Sequence, residues 1–410
     1  MFAFLRRNFR WIAGGFLLTF FSSFGQTYFI SASVAEWQQA FGLSHGEFGR
    51  LYMLATLASA MSLPFVGRLV DVVPEARMVA LVVPALAGAA LLAAYAPNVL
   101  LLTVAIYLLR LMGQGMMTHI ALTATGRWFV GGRGRAVSLV VLGHQGGEAT
   151  IPIGFALIAS GFGYQLGWVA AAGALVLVGL PLATWAYARP RTPQSAHADD
   201  PVGRDQGRDW TRGEVLRDPV FWVLLTGVLA PAFIGTTIFY HQDYMTSFFD
   251  WPPQLFATSL MAMAATTIVC ALIMGTIIDR FGAVAILPGF LLPLTAACFA
   301  LSVAGPAWSL FVVIVLVGVS YGISSTLFGA LWPEVYGTKH LGAVRSVIVS
   351  AMVFSTAAGP GITGTLIDTG MPLTAQMRWL GGYCLLATLA MGWASRALRR
   401  RRYSAASASA

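Results

Sequence analysis

Three ionisable side chains that interrupt long apolar stretches of this chain could do chemistry together. Arg110 lies within one apolar stretch, and His144 and Glu148 lie four residues apart in the next. Residues four apart share one face of a helix, and counting about 1.5 Å per residue brings Arg110 and Glu148 to similar depths. A guanidinium, a carboxylate and an imidazole at one depth could bind an anion and exchange a proton. We therefore expect Arg110 to pair with Glu148, with His144 as a second titratable group.

Two interpretations of this group are open. In the functional one, a substrate anion that diverts Arg110 leaves Glu148 free to take up a proton, which couples solute movement to proton movement. In the structural one, the pair is a static salt bridge that holds two helices together. A charge at the centre of a bilayer costs at least about 2.5–3.5 kcal/mol, and this cost favours the functional interpretation.

The composition identifies the medium that surrounds these groups. Of the 410 residues, 57% are hydrophobic and only 10% are charged, and the mean hydropathy is +0.74. A soluble chain carries about 25% charged residues, so most of this surface must face hydrocarbon. The three cysteines have no metal-ligand spacing, and no Gly-x-x-x-x-Gly-Lys-Ser/Thr phosphate loop occurs. We expect no cofactor, no metal, no nucleic-acid partner and no enzymatic activity.

Twelve apolar segments are long enough to cross a bilayer, which takes about 20 residues. The first follows three arginines, as a secretory signal does, but it is longer than the roughly 7–15 residues of a signal sequence, so we interpret it as an uncleaved helix. The predicted spans are 11–33, 47–67, 78–96, 99–123, 136–160, 166–187, 219–242, 255–278, 283–303, 308–330, 343–366 and 374–395.

Lysine and arginine fall on one set of loops, together with both termini and the central linker, whereas the opposite loops are acidic. By the positive-inside rule, the termini and the linker are predicted to be cytoplasmic. We expect a multi-pass protein of the plasma membrane, specifically a bacterial inner membrane. The basic run Arg399–Arg402 is expected to contact lipid headgroups.

The short pattern Gly-x-x-x-Asp occurs twice, 208 residues apart, at the ends of the second and eighth spans. The same offset relates further pairs of identical residues, namely Gly134 and Gly342, Ser138 and Ser346, and Pro152 and Pro360. A half-length repeat in so apolar a chain predicts a duplicated helix bundle, an architecture of secondary transporters. The predicted fold is all-α and integral to the membrane, with twelve transmembrane helices in two pseudo-symmetric six-helix bundles. Its parts are an N-terminal bundle (1–188), a flexible cytoplasmic linker (189–218), a C-terminal bundle (219–397) and a basic tail (398–410).

These features together resemble the major facilitator superfamily over the whole chain. The superfamily motif reads approximately Gly-x-x-x-Asp-Arg-x-Gly-Arg after the second and eighth helices. The matching residues are Gly67, Asp71 and Arg77 in the first copy and Gly275, Asp279 and Arg280 in the second. The resemblance implies that these residues gate the cytoplasmic side rather than contact substrate, and Asp71 could cap the N-terminus of a neighbouring helix.

Within the superfamily, the stretch 127–136 is similar to the loop before helix 5 of monocarboxylate transporters and oxalate–formate antiporters. Those relatives place a substrate-binding cation in helix 8. The predicted span 255–278 contains no charged residue, so the chain departs from their pattern there. This branch is the nearest likeness, and it implies a small organic anion as substrate.

Uncharged polar side chains complete the predicted binding site. They are Gln26 in the first span, Tyr240 and His241 in the seventh, and Tyr321 in the tenth. With a carboxylate bound to Arg110, they would suit a small amphipathic solute with one anionic end. We expect a proton-coupled secondary transporter that works as a monomer, with a small-molecule solute, protons and the lipid bilayer as its partners. The alternative is a proton-antiport efflux pump for drugs or metabolites.

Overall fold

The chain is built from α-helices. A computed structural model describes residues 2–43, 45–189 and 208–409, and no β-strand occurs in these ranges. Within them, eight helices are long and apolar enough to cross a membrane, and four further helices complete the predicted set of twelve. The twelve are α1 (Phe2–Phe21), α2 (His45–Val66), α3 (Glu75–Ala94), α4 (Val99–Trp128), α5 (Arg133–Phe162), α6 (Tyr164–Tyr187), α7 (Pro219–Tyr240), α8 (Pro253–Phe281), α9 (Leu292–Ser302), α10 (Trp308–Tyr336), α11 (Leu341–Asp368) and α12 (Leu373–Ser409). The predicted all-α membrane architecture is confirmed.

Large apolar side chains cover the outer faces of these helices. Leu177 is 77% exposed and Val303 is 80% exposed, and many other leucine, phenylalanine and tryptophan side chains are similarly uncovered. A soluble monomer rarely exposes such continuous apolar surface. Lipid chains would cover it in a membrane, which agrees with the low content of charged residues.

The helices form two compact units. The first comprises Met1–Val130, Leu139–Ser195 and Lys339–Ser350, and the second comprises Gly131–Ser138, Ala196–Thr338 and Ala351–Ala410. The first turns of α5 therefore belong to the second unit, and the first turns of α11 belong to the first. Each of these exchanged turns meets one of the two Gly-x-x-x-Asp motifs.

In the first unit, α1 packs on α4 and α6, and α3 packs on the same two helices. An aromatic cluster anchors the chain that follows α1. The rings of Phe29 and Trp168 are 4.9 Å apart, and Trp37 stacks on Trp168 at 5.7 Å. The indole Nε1–H of Trp168 donates to the Ser33 hydroxyl at 3.0 Å.

The first predicted span, 11–33, is not one helix, so this prediction is wrong in detail. The helix begins at Phe2 and ends at Phe21, and a 3-10 turn covers Ser22–Gly25. Gln26 is then extended, with φ −85° and ψ 154°, before a short helix over Thr27–Ile30. Broken helices are tolerated at membrane depth where protein surrounds the freed backbone groups, and residues Ser22–Gly25 are all buried.

In the second unit, α8 packs along α10, and α9 packs on α10 and α12. The predicted ninth span, 283–303, is interrupted, because a short helix over Ala283–Ile286 precedes α9. The predicted tail, 398–410, continues α12 without a break as far as Ser409.

The end of the linker predicted over 189–218 contains a short helix. Residues 190–207 lie outside the described ranges, and residues 208–218 form part of the second unit. The Trp210 N–H donates to the Tyr336 carbonyl at 3.0 Å. The helix Arg212–Arg217 follows, with a capping box in which Thr211 and Glu214 satisfy each other's backbone N–H groups.

Asp218 links the end of this linker to the C-terminal helix. Its carboxylate caps α7 by accepting the Val220 N–H at 3.1 Å, and it accepts two N–H groups of Arg401 at 2.8 and 2.7 Å. Burial alone raises the pKa of the Asp218 carboxyl, but hydrogen bonds from Arg401, Val220 and Tyr336 outweigh burial and hold that pKa below its ordinary value.

Candidate functional site

Arg110 is a buried cation at the break in the first helix. Its side chain is 2% exposed, and it donates to the Thr27 hydroxyl at 3.0 Å and to the Gly25 carbonyl at 3.5 Å. The guanidinium carbon lies 5.6 Å from the centre of the Tyr52 ring, and the Tyr52 hydroxyl also donates to Thr27, at 2.9 Å. The Arg110 Nε–H has no partner among the described residues.

Two irregular backbone segments create this site. Arg110 lies in a π-helical stretch of α4, Leu109–Met117, which faces the 3-10 turn Ser22–Gly25. The two backbones touch, since a Cβ added to Gly25 would lie 2.7 Å from the Gly113 Cα. Inserted π turns often mark functional positions, and discontinuous membrane helices line the substrate sites of many transporters.

The predicted ion pair between Arg110 and Glu148 is not formed, and this expectation is wrong. Arg110 contacts Thr27, Gly25 and Tyr52, while the Glu148 side chain is exposed. The depth estimate placed both groups at one level, but it gave no information about the direction each side chain takes around its helix axis. His144, one turn before Glu148, is half-buried, and its ring lies 6.3 Å from that of Tyr28.

Gln26 was the predicted polar ligand of the first helix, yet Thr27 is the residue that contacts Arg110. Gln26 is buried at the break, with its backbone in the extended conformation. The participation of Tyr52 was missed altogether, because a single tyrosine in an apolar helix carries no pattern that points to a cation.

The three predicted polar residues of the second unit occupy separate positions, two at the end of α7 and one on α10. The Tyr321 hydroxyl lies directly against Gly235 of α7, in the space that any side chain there would fill, and its ring meets Phe239 edge-on at 6.1 Å. His241 Nε2 lies 3.0 Å from the Thr363 hydroxyl. Tyr240 is 71% exposed, which is the least favourable placement for a ligand among the three.

The first Gly-x-x-x-Asp motif contacts the start of α11; we call this the Asp71 contact, defined by Gly67–Asp71 and Gly342–Ser346. The Asp71 carboxylate accepts the N–H groups of Gly342 and Ala343 at 2.7 and 2.6 Å. It also forms an ion pair with Arg127, whose guanidinium donates to the Val70 carbonyl at 2.7 Å. A carboxylate at a helix N-terminus satisfies free N–H groups and the positive end of the helix dipole.

The second motif makes the equivalent Asp279 contact, defined by Gly275–Asp279 and Gly134–Ser138. The Asp279 carboxylate accepts the N–H groups of Gly134 at 2.6 Å and Arg135 at 3.2 Å. It also accepts the side-chain Nε–H of Arg135 at 2.6 Å. The structure thus shows the capping role predicted for Asp71, and Asp279 repeats it in the second copy.

The motif glycines are required by close packing. A Cβ added to Gly67 would lie 2.6 Å from the Ser346 Cβ, and one added to Gly275 would lie 2.8 Å from the Gly134 carbonyl oxygen. The predicted basic residues of the motifs do not join these contacts. Arg77 is exposed, and Arg280 is exposed with its guanidinium 5.2 Å from the Phe281 ring.

Solved structures with the same fold are membrane transporters. The E. coli fucose:proton symporter FucP is 14% identical, with a TM-score of 0.67 over 94% of this chain and 98% of that one. The proton:xylose symporter XylE is 12% identical, with a TM-score of 0.72 over 96% and 95% of the two chains. The human organic anion transporter MFSD10 is 13% identical, with a TM-score of 0.70 over 94% and 99%.

No curated protein matches the chain as a relative in sequence. The family model described as Major Facilitator Superfamily, however, matches residues 15–360. That match covers most of the chain, and it agrees with the twelve helices and the duplicated Gly-x-x-x-Asp contacts. The chain therefore belongs to the Major Facilitator Superfamily of secondary transporters.

Proposed function

We propose that this transporter moves a small organic anion, such as a monocarboxylate, and that the movement is coupled to protons. The chain would work by alternating access as a single polypeptide in a bacterial inner membrane, with both termini in the cytoplasm. Solute and protons would be its only diffusible partners.

The observation that carries this proposal is the buried Arg110 without a carboxylate partner. Among the described residues, its hydrogen-bond acceptors are a neutral hydroxyl and a carbonyl. Burial of an uncompensated cation is unfavourable, and arginine favours carboxylates because its planar fork can hold both oxygens. A substrate carboxylate would supply the missing charge and could reach the unpartnered Nε–H.

The broken segment of the first helix is the proposed route of coupling. Thr27 on that segment contacts Arg110. The ring of the adjacent Tyr28 lies near that of His144, and the negative charge of Glu148 acts on the Tyr28 hydroxyl. A carboxylate that takes the place of Thr27 on Arg110 would shift this segment and change the surroundings of Glu148 and His144. Proton uptake by one of them would then accompany substrate binding.

Gln26, Tyr240, His241 and Tyr321 remain proposed ligands for the neutral part of the solute. The buried Gln26 lies beside Thr27, and Tyr321 and His241 present polar atoms along α10 and α7. Proton symporters and an organic anion transporter share the fold, although identities of 12–14% carry no information on substrate. The likeness of stretch 127–136 to monocarboxylate transporters supports a carboxylate.

Purified protein in liposomes that contain a pH-sensitive dye would test the proposal. A panel of small carboxylates and neutral analogues is applied under an imposed proton gradient. We expect carboxylate-dependent acidification that Arg110→Gln abolishes and that Arg50→Gln, a change at an exposed arginine of α2, leaves intact. If no carboxylate causes acidification and cationic or neutral hydrophobic compounds are moved instead, the efflux alternative would be established.

A second variant tests the coupling of transport to protons. Glu148→Gln should abolish uptake driven by the proton gradient while counterflow exchange of labelled substrate continues. Equal loss of both activities would show that Glu148 is structural.

A further inference from the structure

His119 is a fully buried histidine at the centre of the Asp71 contact. Its exposed fraction is 0%, and its Nε2 lies 3.0 Å from the Gly67 carbonyl oxygen. An oxygen acceptor requires a proton on Nε2, so the ring is the neutral tautomer with an unprotonated Nδ1. That Nδ1 has no hydrogen-bond partner among the described residues.

The charged groups around this imidazole are mostly cationic. Arg345 of α11 and Arg127 of α4 both repel a positive charge on His119. The acids nearby are Asp71 and Glu75, and both face Arg127, while Asp71 is also occupied by the N–H groups that it caps. Among the described residues, His340, which immediately precedes α11, is a second histidine in this part of the chain and is partly exposed.

The Asp279 contact supplies an internal control for the role of His119. Under the 208-residue offset, His119 corresponds to Leu327, Arg345 to Val137 and Arg127 to Val335. Leu327 and Val137 are both fully buried. The duplicated contact therefore forms with aliphatic residues at these positions, and its packing does not require a histidine.

We propose that His119 is a proton-binding site whose occupation is incompatible with the Asp71 contact. Protonation would place a third cation beside Arg345 and Arg127 at a fully buried position, where backbone groups of Gly67 and Gly342 are the ones that favour the charged form. Burial of such a charge is strongly unfavourable. The contact would therefore separate before His119 is protonated, and a proton on His119 would keep it separated.

The linkage has a definite sign. An accessible histidine gains its proton near pH 6.5, so above about that pH the formed contact is favoured and His119 is neutral. Below it, the equilibrium shifts toward the separated state by up to tenfold per pH unit, since one proton is taken up on separation. The Asp279 contact has no such group and should not respond to pH through this route.

This inference rests on the proposed function in one respect: a contact that responds to protons has a role in transport if transport is coupled to protons. It adds a site that is separate from Arg110 and Glu148. A proton taken up at His119 would weaken the contact that fastens α11 to the end of α2.

Distance measurements between spin labels would test the site without substrate or transport. One label pair replaces two exposed residues, Arg68 within the Asp71 contact and Lys339 just before its α11 segment, in protein whose native cysteines have been substituted. The equivalent pair under the 208-residue offset, at Thr276 and Gly131, reports on the Asp279 contact in a second sample. Distances are recorded in lipid nanodiscs from pH 8 to pH 5.

We expect the Arg68–Lys339 pair to gain a longer distance as the pH falls, and the Thr276–Gly131 pair to stay constant. His119→Leu, which copies Leu327, should hold the short distance at every pH, and His119→Gln should do the same if leucine disturbs folding. A wild-type distance that ignores pH would overturn the proposal. So would a pH response that persists in both variants, since it would then belong to His340 or another group. Failure of carboxylate transport would leave this distance result unaffected, so the two proposals can fail separately.

Discussion

The Asp71 and Asp279 contacts are two copies of one arrangement, in which a carboxylate caps a helix N-terminus. They differ in the position of the arginine that pairs with the carboxylate. In the Asp71 contact, the arginine is Arg127 at the end of α4, and the carboxylate and the guanidinium are 8% and 16% exposed. In the Asp279 contact, the arginine is Arg135 at the capped helix terminus itself, and its side chain is 35% exposed. The two aspartates are similarly covered, since Asp279 is 12% exposed, so the contacts differ mainly in how far water reaches the arginine.

This difference teaches that duplication preserved the capping carboxylate but not the electrostatics around it. A carboxylate at a helix N-terminus is stabilising in either setting. Asp71 should depend on Arg127 more than Asp279 depends on Arg135, because Arg127 is 16% exposed and Arg135 is 35% exposed, and water replaces a lost partner more readily at an exposed site. The first contact is therefore the one that charge changes should control.

The largest expected effect separates the two aspartates. Asp71→Asn would remove the nearer of the two carboxylates that face Arg127, leaving Glu75 at 4.0 Å, and should weaken the contact by about 3 kcal/mol, near the lower limit for breaking a buried ion pair. Asp279→Asn removes a cap and a partly exposed pair, for which about 1–2 kcal/mol is expected. Initial transport rates and thermal unfolding of the two variants, measured side by side, test this order. Equal losses in both variants would remove the proposed distinction.

A smaller effect is expected from the motif glycines, and double variants sharpen it. Gly67→Ala and Gly275→Ala should each cost about 1–3 kcal/mol through overpacking. Adding Ser346→Gly to Gly67→Ala removes the Cβ that the new methyl group meets, so much of the transport rate should return. Adding Ser138→Gly to Gly275→Ala should restore less, because the Gly134 carbonyl oxygen remains 2.8 Å from the new Cβ. Full rescue of the second pair would contradict the packing argument.

The smallest effect concerns Asp218, a third aspartate that caps a helix, which lies outside both contacts. Arg401→Gln should lower stability by at most about 1 kcal/mol, since the guanidinium is partly hydrated, and should leave transport rates unchanged. Because the pKa of Asp218 is held below its ordinary value, this contribution is present above that ordinary value and is lost as the pH falls through the lowered one. Melting temperatures of wild type and variant should therefore converge in acid. A transport defect in Arg401→Gln would give Asp218 a place in gating.

The repeat could be recognised in the sequence because close packing requires small residues at the same positions of both copies. The 208-residue offset relates Gly67 to Gly275 and Ser138 to Ser346. In the structure, Gly67 packs against Ser346, and Gly275 packs against Ser138. The offset identified equivalent positions, but it could not indicate that each copy packs against the helix from the other half. That information lies in the tertiary contacts.

The break at Gln26 and the partners of Arg110 could not be predicted. A single glycine such as Gly25 is common in membrane helices, and nothing in its sequence neighbours distinguishes it from one that ends a helix. The expected Arg110–Glu148 pair assumed regular helices. The π-helical stretch of α4 and the break before Thr27 change the direction of the side chains involved, so equal depth did not bring the charges together.

The link between Asp218 and Arg401 has a consequence for how the chain is made. Asp218 lies immediately before α7, and Arg401 lies 183 residues later in the chain. Folding during synthesis proceeds from the N-terminus, so α7 must enter the membrane with its capping carboxylate still lacking its guanidinium. The ion pair can close only after Arg401 has left the ribosome. A protein truncated before Arg401 would resemble this unfinished state permanently.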